Sequence, residues 1–205
     1  MCEIKPVRLS IAFAVLLLFV PGLAQAAAPK QAVAAKSDLQ GLGVGTSSVE
    51  LLSEDGKPFR LDELKGKPRV QFFGFTNCPV VCPVTVWEID AALAEIGEPA
   101  KDTQIVFVTL DPARDTPAVM KKYFSGFKGR VVPLSGTEAS VHKIARAFDI
   151  KWQKVNTGKG DYTLDHTALA FLINAEGQVV DTVAFGASRE LSVSRLRKLL
   201  GVSAK

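Results

Sequence analysis

The sequence predicts an α/β domain: a mixed central sheet with helices on both faces, entered through an N-terminal β-hairpin. Three observations lead there. Two near-continuous apolar runs, Val70 to Phe75 and Thr103 to Leu110, suit strands buried on both faces. Segments with apolar residues at helical spacing follow each of them. Near the C-terminus, two strand-like runs flank Asn174-Ala-Glu-Gly177, a turn signal that makes them an antiparallel pair.

Taken in order, Val49-Glu-Leu-Leu and Pro58-Phe-Arg-Leu flank Glu54-Asp-Gly-Lys, a hairpin signal. Val70 to Phe75 is the central strand. Pro83 to Ile96 carries Val84, Ile89, Leu93 and Ile96 at helical spacing. Thr103 to Leu110 is the second buried strand. Asp115-Thr-Pro117 starts a helix that runs to Phe127, with a capping residue and a proline in the first turn. Val131 to Leu134 is a short strand. The helix Thr137 to Phe148 turns Val141, Ile144, Ala145 and Phe148 inward. Lys151 to Val155 and Asp161 to Leu164 flank a glycine-containing turn. Thr167 to Ile173 pairs with Val179 to Phe185, and an amphipathic helix from Ser188 to Leu200 closes the chain. Short connections and right-handed crossovers fold this order into one mixed sheet.

Residues 1–26 read as a secretory signal peptide. Lys5 and Arg8 form its positive start, Leu9 to Val20 its apolar stretch, and Ala24-Gln25-Ala26 its cleavage signal. The competing reading is an uncleaved anchor, since the uncharged stretch from Leu9 to Ala28 is long enough to cross a bilayer. Pro21-Gly22 argues for cleavage, because it is a poor continuation of a membrane helix. Residues 27–47 are rich in Ala, Gly, Ser and Lys without apolar period and read as a flexible tether. Residues 48–205 form one domain with a full core. The chain carries a net charge of +4, and removing Glu3, Lys5 and Arg8 with the leader leaves +3. That charge is dispersed, which excludes a nucleic-acid footprint.

Of three cysteines, Cys2 goes with the leader, leaving Cys78 and Cys82. They lie in Gly74-Phe-Thr-Asn-Cys-Pro-Val-Val-Cys-Pro83, where the central strand gives way to a helix. A helix N-terminus offers unpaired N–H groups and a positive dipole end, both of which favour thiolate. At i and i+4 the pair shares one helix face with Cα atoms about 6 Å apart, compatible with a disulfide or with two metal bonds. A structural disulfide closing so short a loop constrains the unfolded chain little. A cysteine pair at the first strand–helix junction of such a sheet is the thioredoxin arrangement. Thioredoxin-type pairs have two residues between the sulfurs, whereas here there are three.

Two histidines exist. His142 sits off the apolar face of its helix beside Lys143 and reads as a solvated residue. His166, in Asp165-His-Thr-Ala-Leu-Ala-Phe-Leu-Ile173, stands at the start of a buried strand. One role for it is a hydrogen-bonded structural residue. The other is a nitrogen donor to two thiolates, because that strand start lies near the cysteine helix. Two sulfurs and one imidazole suit a soft or borderline ion, copper above all; zinc would usually want a fourth ligand.

These stretches resemble the Sco/SenC family of copper-binding thioredoxin-fold proteins. The resemblance rests on Phe73-Gly-Phe-Thr-Asn-Cys-Pro-Val-Val-Cys-Pro83, Asp111-Pro-Ala-Arg-Asp-Thr-Pro117 and Asp165-His-Thr-Ala-Leu-Ala-Phe-Leu-Ile173, and spans about Val49 to Leu200. It implies that Cys78, Cys82 and His166 bind Cu(I) and Cu(II). It also implies assembly of the dinuclear copper site of cytochrome c oxidase, by copper delivery, by reduction of that site's cysteines, or both. The partners implied are a copper-receiving oxidase subunit and a copper donor in the periplasm. One position departs from the family: Val80 stands where an Asp is usual, two residues after Cys78. Ligation does not use that carboxylate, but the thiol potential and the partner surface would feel its loss.

Two other functions compete. A thiol–disulfide oxidoreductase without stable metal would attack with Cys78 and resolve with Cys82. A peroxidase would need Pro-x-x-x-Thr-x-x-Cys, and Thr76 stands two residues before Cys78 rather than three. In the loop from Asp111 to Pro117, Asp115 or Thr116 is read as a helix cap and Arg114 as an ion-pair tie, with a role at the metal mouth as the alternative. Asp165 is a candidate to orient His166. Trp87 and Trp152 are read as packing residues.

Overall fold

A computed structural model describes residues 39–203 apart from Lys128 and Lys159. The leader and residues 27–38 of the tether lie outside these. Nine strands and four α-helices are described: β1 Glu50–Ser53, β2 Pro58–Arg60, β3 Arg69–Gly74, α1 Val81–Ile96, β4 Gln104–Thr109, α2 Pro117–Phe124, β5 Val131–Ser135, α3 Glu138–Ala147, β6 Trp152–Gly158, β7 Asp161–His166, β8 Leu169–Ile173, β9 Val179–Ala184 and α4 Arg189–Leu199. The main sheet has the order β2-β1-β5-β4-β3-β8-β9, and β6 with β7 forms a separate two-stranded sheet. β3, β4 and β5 run parallel, as crossovers through α1 and α2 require; β1 and β8 join antiparallel at the flanks.

Every residue of β3 is buried, Arg69 and Gln71 included, in keeping with its largely apolar run. Successive side chains point to opposite faces. On one face Phe72 meets Phe107, whose ring lies 4.7 Å from Phe124 of α2. On the other, Phe73 packs at 5.3 Å against Phe148 at the end of α3 and at 6.0 Å against Phe171 of β8. The core is therefore two layers, with helices on both faces of the sheet.

Three helices open as Ser/Thr caps predict. The side chains of Thr116, Thr137 and Ser188 accept from the amides of Val119, Ser140 and Leu191. Asp115 is not a cap. It is fully buried, and its carboxylate accepts from the Thr76 amide at 3.0 Å and from the hydroxyls of Thr76 and Thr109 at 2.5 Å each. Burial pushes its pKa up against these donors.

Four other readings need correction. Residues 39–47 are part of the fold rather than tether: Leu39 and Thr46 are buried, and the Gly43 amide bonds to the Ala147 carbonyl at 2.8 Å. His142 is not simply solvated; its ring packs at a tilt against Trp152, 4.7 Å between centroids. Trp87 is no packing residue, being 62% exposed on the outer side of α1. His166 ends β7, and the buried strand β8 starts only at Leu169.

Asp115→Ala leaves the buried Thr109 hydroxyl and the part-buried Thr76 amide and hydroxyl without their acceptor, so it should lower stability by about 3 kcal/mol. Urea unfolding checks this; a loss under about 1 kcal/mol would contradict the bracing role.

Candidate metal centre

α1 is the one described α-helix without a Ser or Thr cap: Val80 occupies that position and makes no side-chain capping bond. The missing acceptor is sulfur. Cys78 lies in the loop before the helix, and its Sγ accepts from the amide of Cys82 at 3.3 Å. The pair is thus not one turn of continuous helix, as i,i+4 spacing suggests, but a loop sulfur placed over a helix N-terminus. Helix geometry starts at Val81, so Pro79 precedes it. Pro83 stands in the first turn, where a missing N–H leaves no bond unmade.

The two sulfurs differ in environment. Cys78 is half-buried, and Cys82 is 1% exposed. The hydrogen bond between their side chains is the largest influence on both. It favours thiolate at Cys78, with further help from His166 and the helix amides, and brings that pKa down to about 4. The same bond, together with burial, pushes Cys82 far up. Cys78 is therefore the thiolate of the pair and Cys82 the proton donor.

His166 reaches this pair from the small sheet. Its Nδ1–H donates to the Thr167 carbonyl at 2.9 Å, which leaves Nε2 facing Cys82 Sγ at 3.5 Å. The orienting acceptor is that carbonyl and not Asp165, whose side chain is exposed. Phe72 and Phe75 fix the ring plane by edge contacts at 6.4 and 5.8 Å.

The Asp111–Pro117 loop grips both arms of the site. Asp115 holds Thr76, two residues before Cys78. Asp111 pairs with Arg114 and accepts from the Tyr162 hydroxyl at 2.7 Å. Arg114 lies 3.7 Å over the Tyr162 ring, donates to the Tyr162 carbonyl at 2.8 Å and pairs with Asp161 at 3.1 Å. β7, and with it His166, is thereby tied to the same loop that ties the cysteines. Of the two roles read for this loop, the cap belongs to Thr116, and the ion pair serves the site.

Among the described residues, no group of three or more His, Cys, Asp or Glu side chains stands preassembled as a complete metal cage. What stands ready is one edge. Donors bound at about 2.3 Å (sulfur) and 2.0 Å (nitrogen) lie roughly 3.5 Å apart at a near-tetrahedral angle, which is the Cys82–His166 separation. Cys78 Sγ is engaged with the helix amide and would complete the set by rotating about its own side-chain bonds. Two thiolates and one imidazole form a donor set that soft and borderline ions accept.

Sequence reasoning named Cys78, Cys82 and His166 but missed the groups that position them. Thr167 supplies a backbone group, which no side-chain pattern reveals. Phe72 and Phe75 carried a signal, since they lie in the apolar run that leads to the cysteines.

The SCO1/SenC family profile matches residues 42–201. An SCO2-like protein of Rickettsia felis is 35% identical over 63% of this chain and 64% of its own length, so the chain spans just under two thirds of that relative. The structure of Bradyrhizobium japonicum ScoI with copper bound superposes with a TM-score of 0.67 at 38% identity, covering 74% of this chain and 96% of that one. Yeast Sco1 with copper bound gives 0.68 at 29% identity, over 76% and 88% of the two chains.

In reduced protein, iodoacetamide should modify Cys78 and spare Cys82. The Cys78 rate should stay flat from about pH 8 to pH 6 and fall by half near pH 4, because a lowered pKa keeps the thiolate down to that point. Mass-spectrometric mapping reads both. A tenfold rise between pH 7 and 8 would mark an ordinary thiol instead.

Proposed function

The chain belongs to the SCO1/SenC family, and from that premise we propose that it is an exported copper-binding protein serving assembly of the dinuclear copper site of cytochrome c oxidase. Copper is its cargo, held by Cys78, Cys82 and His166. The observation that carries the reading is the contact of Cys82 Sγ with an imidazole nitrogen whose other nitrogen is already committed to a carbonyl. Thiolates favour Cu(I), and imidazole also accepts Cu(II), so one site serves both oxidation states.

Geometry supports an order of exchange. Cys78 is the accessible sulfur and the one already ionised. A client thiolate approaching the mouth competes first with Cys78. Cys82 and His166, held from behind by β3 and the Asp111–Pro117 loop, release last. The client is a copper-receiving oxidase subunit, and a copper donor loads the site beforehand. The Ala24-Gln25-Ala26 signal supports action in the periplasm, with the membrane involved only if the leader is retained. No helix among the described residues is long and apolar enough to cross a membrane.

The depressed Cys78 thiol beside a buried, protonated Cys82 also favours a second reading, reduction of the client's cysteines. Cys78 thiolate attacks one sulfur of a client disulfide and expels the other as thiolate. Cys82 then loses its proton and attacks Cys78, releasing the second client thiolate and leaving a Cys78–Cys82 disulfide. Two electrons pass to the client.

His166→Ala separates the readings. Cu(II) affinity should fall by about 100-fold with the loss of the only nitrogen donor, while the Cys78–Cys82 disulfide still forms and breaks. Cu(II) titration and thiol counting check this. Unchanged Cu(II) affinity would remove His166 from the ligand set.

A further inference from the structure

Gly74 ends β3, and its backbone lies in ordinary strand conformation, so no turn or left-handed geometry demands glycine there. Glycine in a strand loosens it and gives up packing. Space accounts for its presence. A Cβ at Gly74 would stand 2.8 Å from Cys82 Sγ and 3.0 Å from two carbons of the Phe107 ring. The buried sulfur therefore rests on bare strand backbone, with α1 behind it and a phenyl ring at its side.

The same strand carries the imidazole at a different height. Phe72 shares the face of Gly74, and its ring lies 6.4 Å from that of His166; Phe75, just past the strand, lies at 5.8 Å. Two aromatic rings hold the nitrogen donor up, while the missing side chain lets the sulfur donor sink. The sulfur and nitrogen, each resting on part of this support, lie 3.5 Å apart.

We infer that Gly74 is a positioning residue that sets the distance from Cys82 sulfur to His166 nitrogen, and so decides whether the site holds copper with three donors or with two. The inference rests on the copper reading above. Soft Cu(I) is satisfied by two thiolates, whereas Cu(II) draws on the imidazole. A methyl group at position 74 lifts the Cys82 sulfur off its seat and spoils the edge shared with His166. Cys78 lies outside that clash and keeps its freedom to rotate. The cost then falls on Cu(II), with Cu(I) largely spared.

The test titrates reduced full-length protein and its Gly74→Ala variant with Cu(I) under anaerobic conditions and with Cu(II). Cu(II) affinity should drop about 10- to 100-fold in the variant, as for other residues that orient ligands. The sulfur-to-Cu(II) charge-transfer band should move, and Cu(I) affinity should stay within about threefold of wild type. A merely structural glycine would lower thermal stability without separating the two oxidation states. Wild-type Cu(II) affinity together with an unmoved band overturns the inference. The steric part is read without copper: Gly74→Ala should cost less thermal stability in a Cys82→Ala background, and equal costs in both backgrounds overturn it even if copper binds as proposed. If wild type itself takes up no Cu(II), the copper reading falls and this inference with it. Should Gly74→Ala fail to fold, Gly74→Ala/Phe107→Leu removes the ring contact and leaves the sulfur clash for the same titration.

Discussion

The site depends on one contact, Cys82 Sγ against His166 Nε2 at 3.5 Å, between residues 84 positions apart in the chain. Neither residue could hold it alone. Cys82 sits in the first turn of α1 on its buried side, while His166 ends a small sheet whose other strand, β6, is mostly exposed. An exposed two-stranded sheet has little stability of its own. The polar loop between β4 and α2 makes up the difference. Its buried Asp115 fixes the cysteine loop, and its Asp111–Arg114 pair fixes β7 through Tyr162. An ion pair at a surface would contribute little, but Asp111 is 3% exposed and Arg114 also stacks on an aromatic ring. The loop is a brace between two parts of one centre.

Burial and helix-end chemistry then divide labour between the sulfurs. Cys78 takes the place that a Ser or Thr hydroxyl takes at the other three described α-helices, and a sulfur in that place is best satisfied as thiolate. Cys82 beneath it keeps its proton until a metal or a disulfide replaces that proton. The asymmetry serves ligand exchange and thiol exchange alike. Val80 puts an apolar side chain, 55% exposed, next to this thiolate, and Trp87 further along α1 is exposed as well.

Much of this was legible in the sequence because two kinds of signal are local. The strands β3 and β4 show as apolar runs, and the helices show as period and caps. The cysteines are marked by their position at a strand exit, and His166 by being one of two histidines. The rest depends on contacts between distant segments. Asp115 looks like a cap because Thr116 and Pro117 follow it, yet the hydroxyls of Thr76 and Thr109 claim its carboxylate. Trp87 looks like core by its chemistry, but the helix register turns it outward. Leu39 and Thr46 look like tether in a Gly-rich stretch, yet Gly43 leaves room that the Phe148 ring fills. Gly74 gives no sign of its role, since only the position of a sulfur eight residues on explains the absence of a side chain.

X-ray absorption at the copper edge of the loaded protein tests the central claim most directly. Three protein donors predict two sulfur scatterers at about 2.3 Å and one imidazole nitrogen at about 2.0 Å on a single copper. A copper surrounded by nitrogen and oxygen alone, or by sulfur without imidazole in the Cu(II) state, would contradict the convergence of Cys78, Cys82 and His166 on one ion.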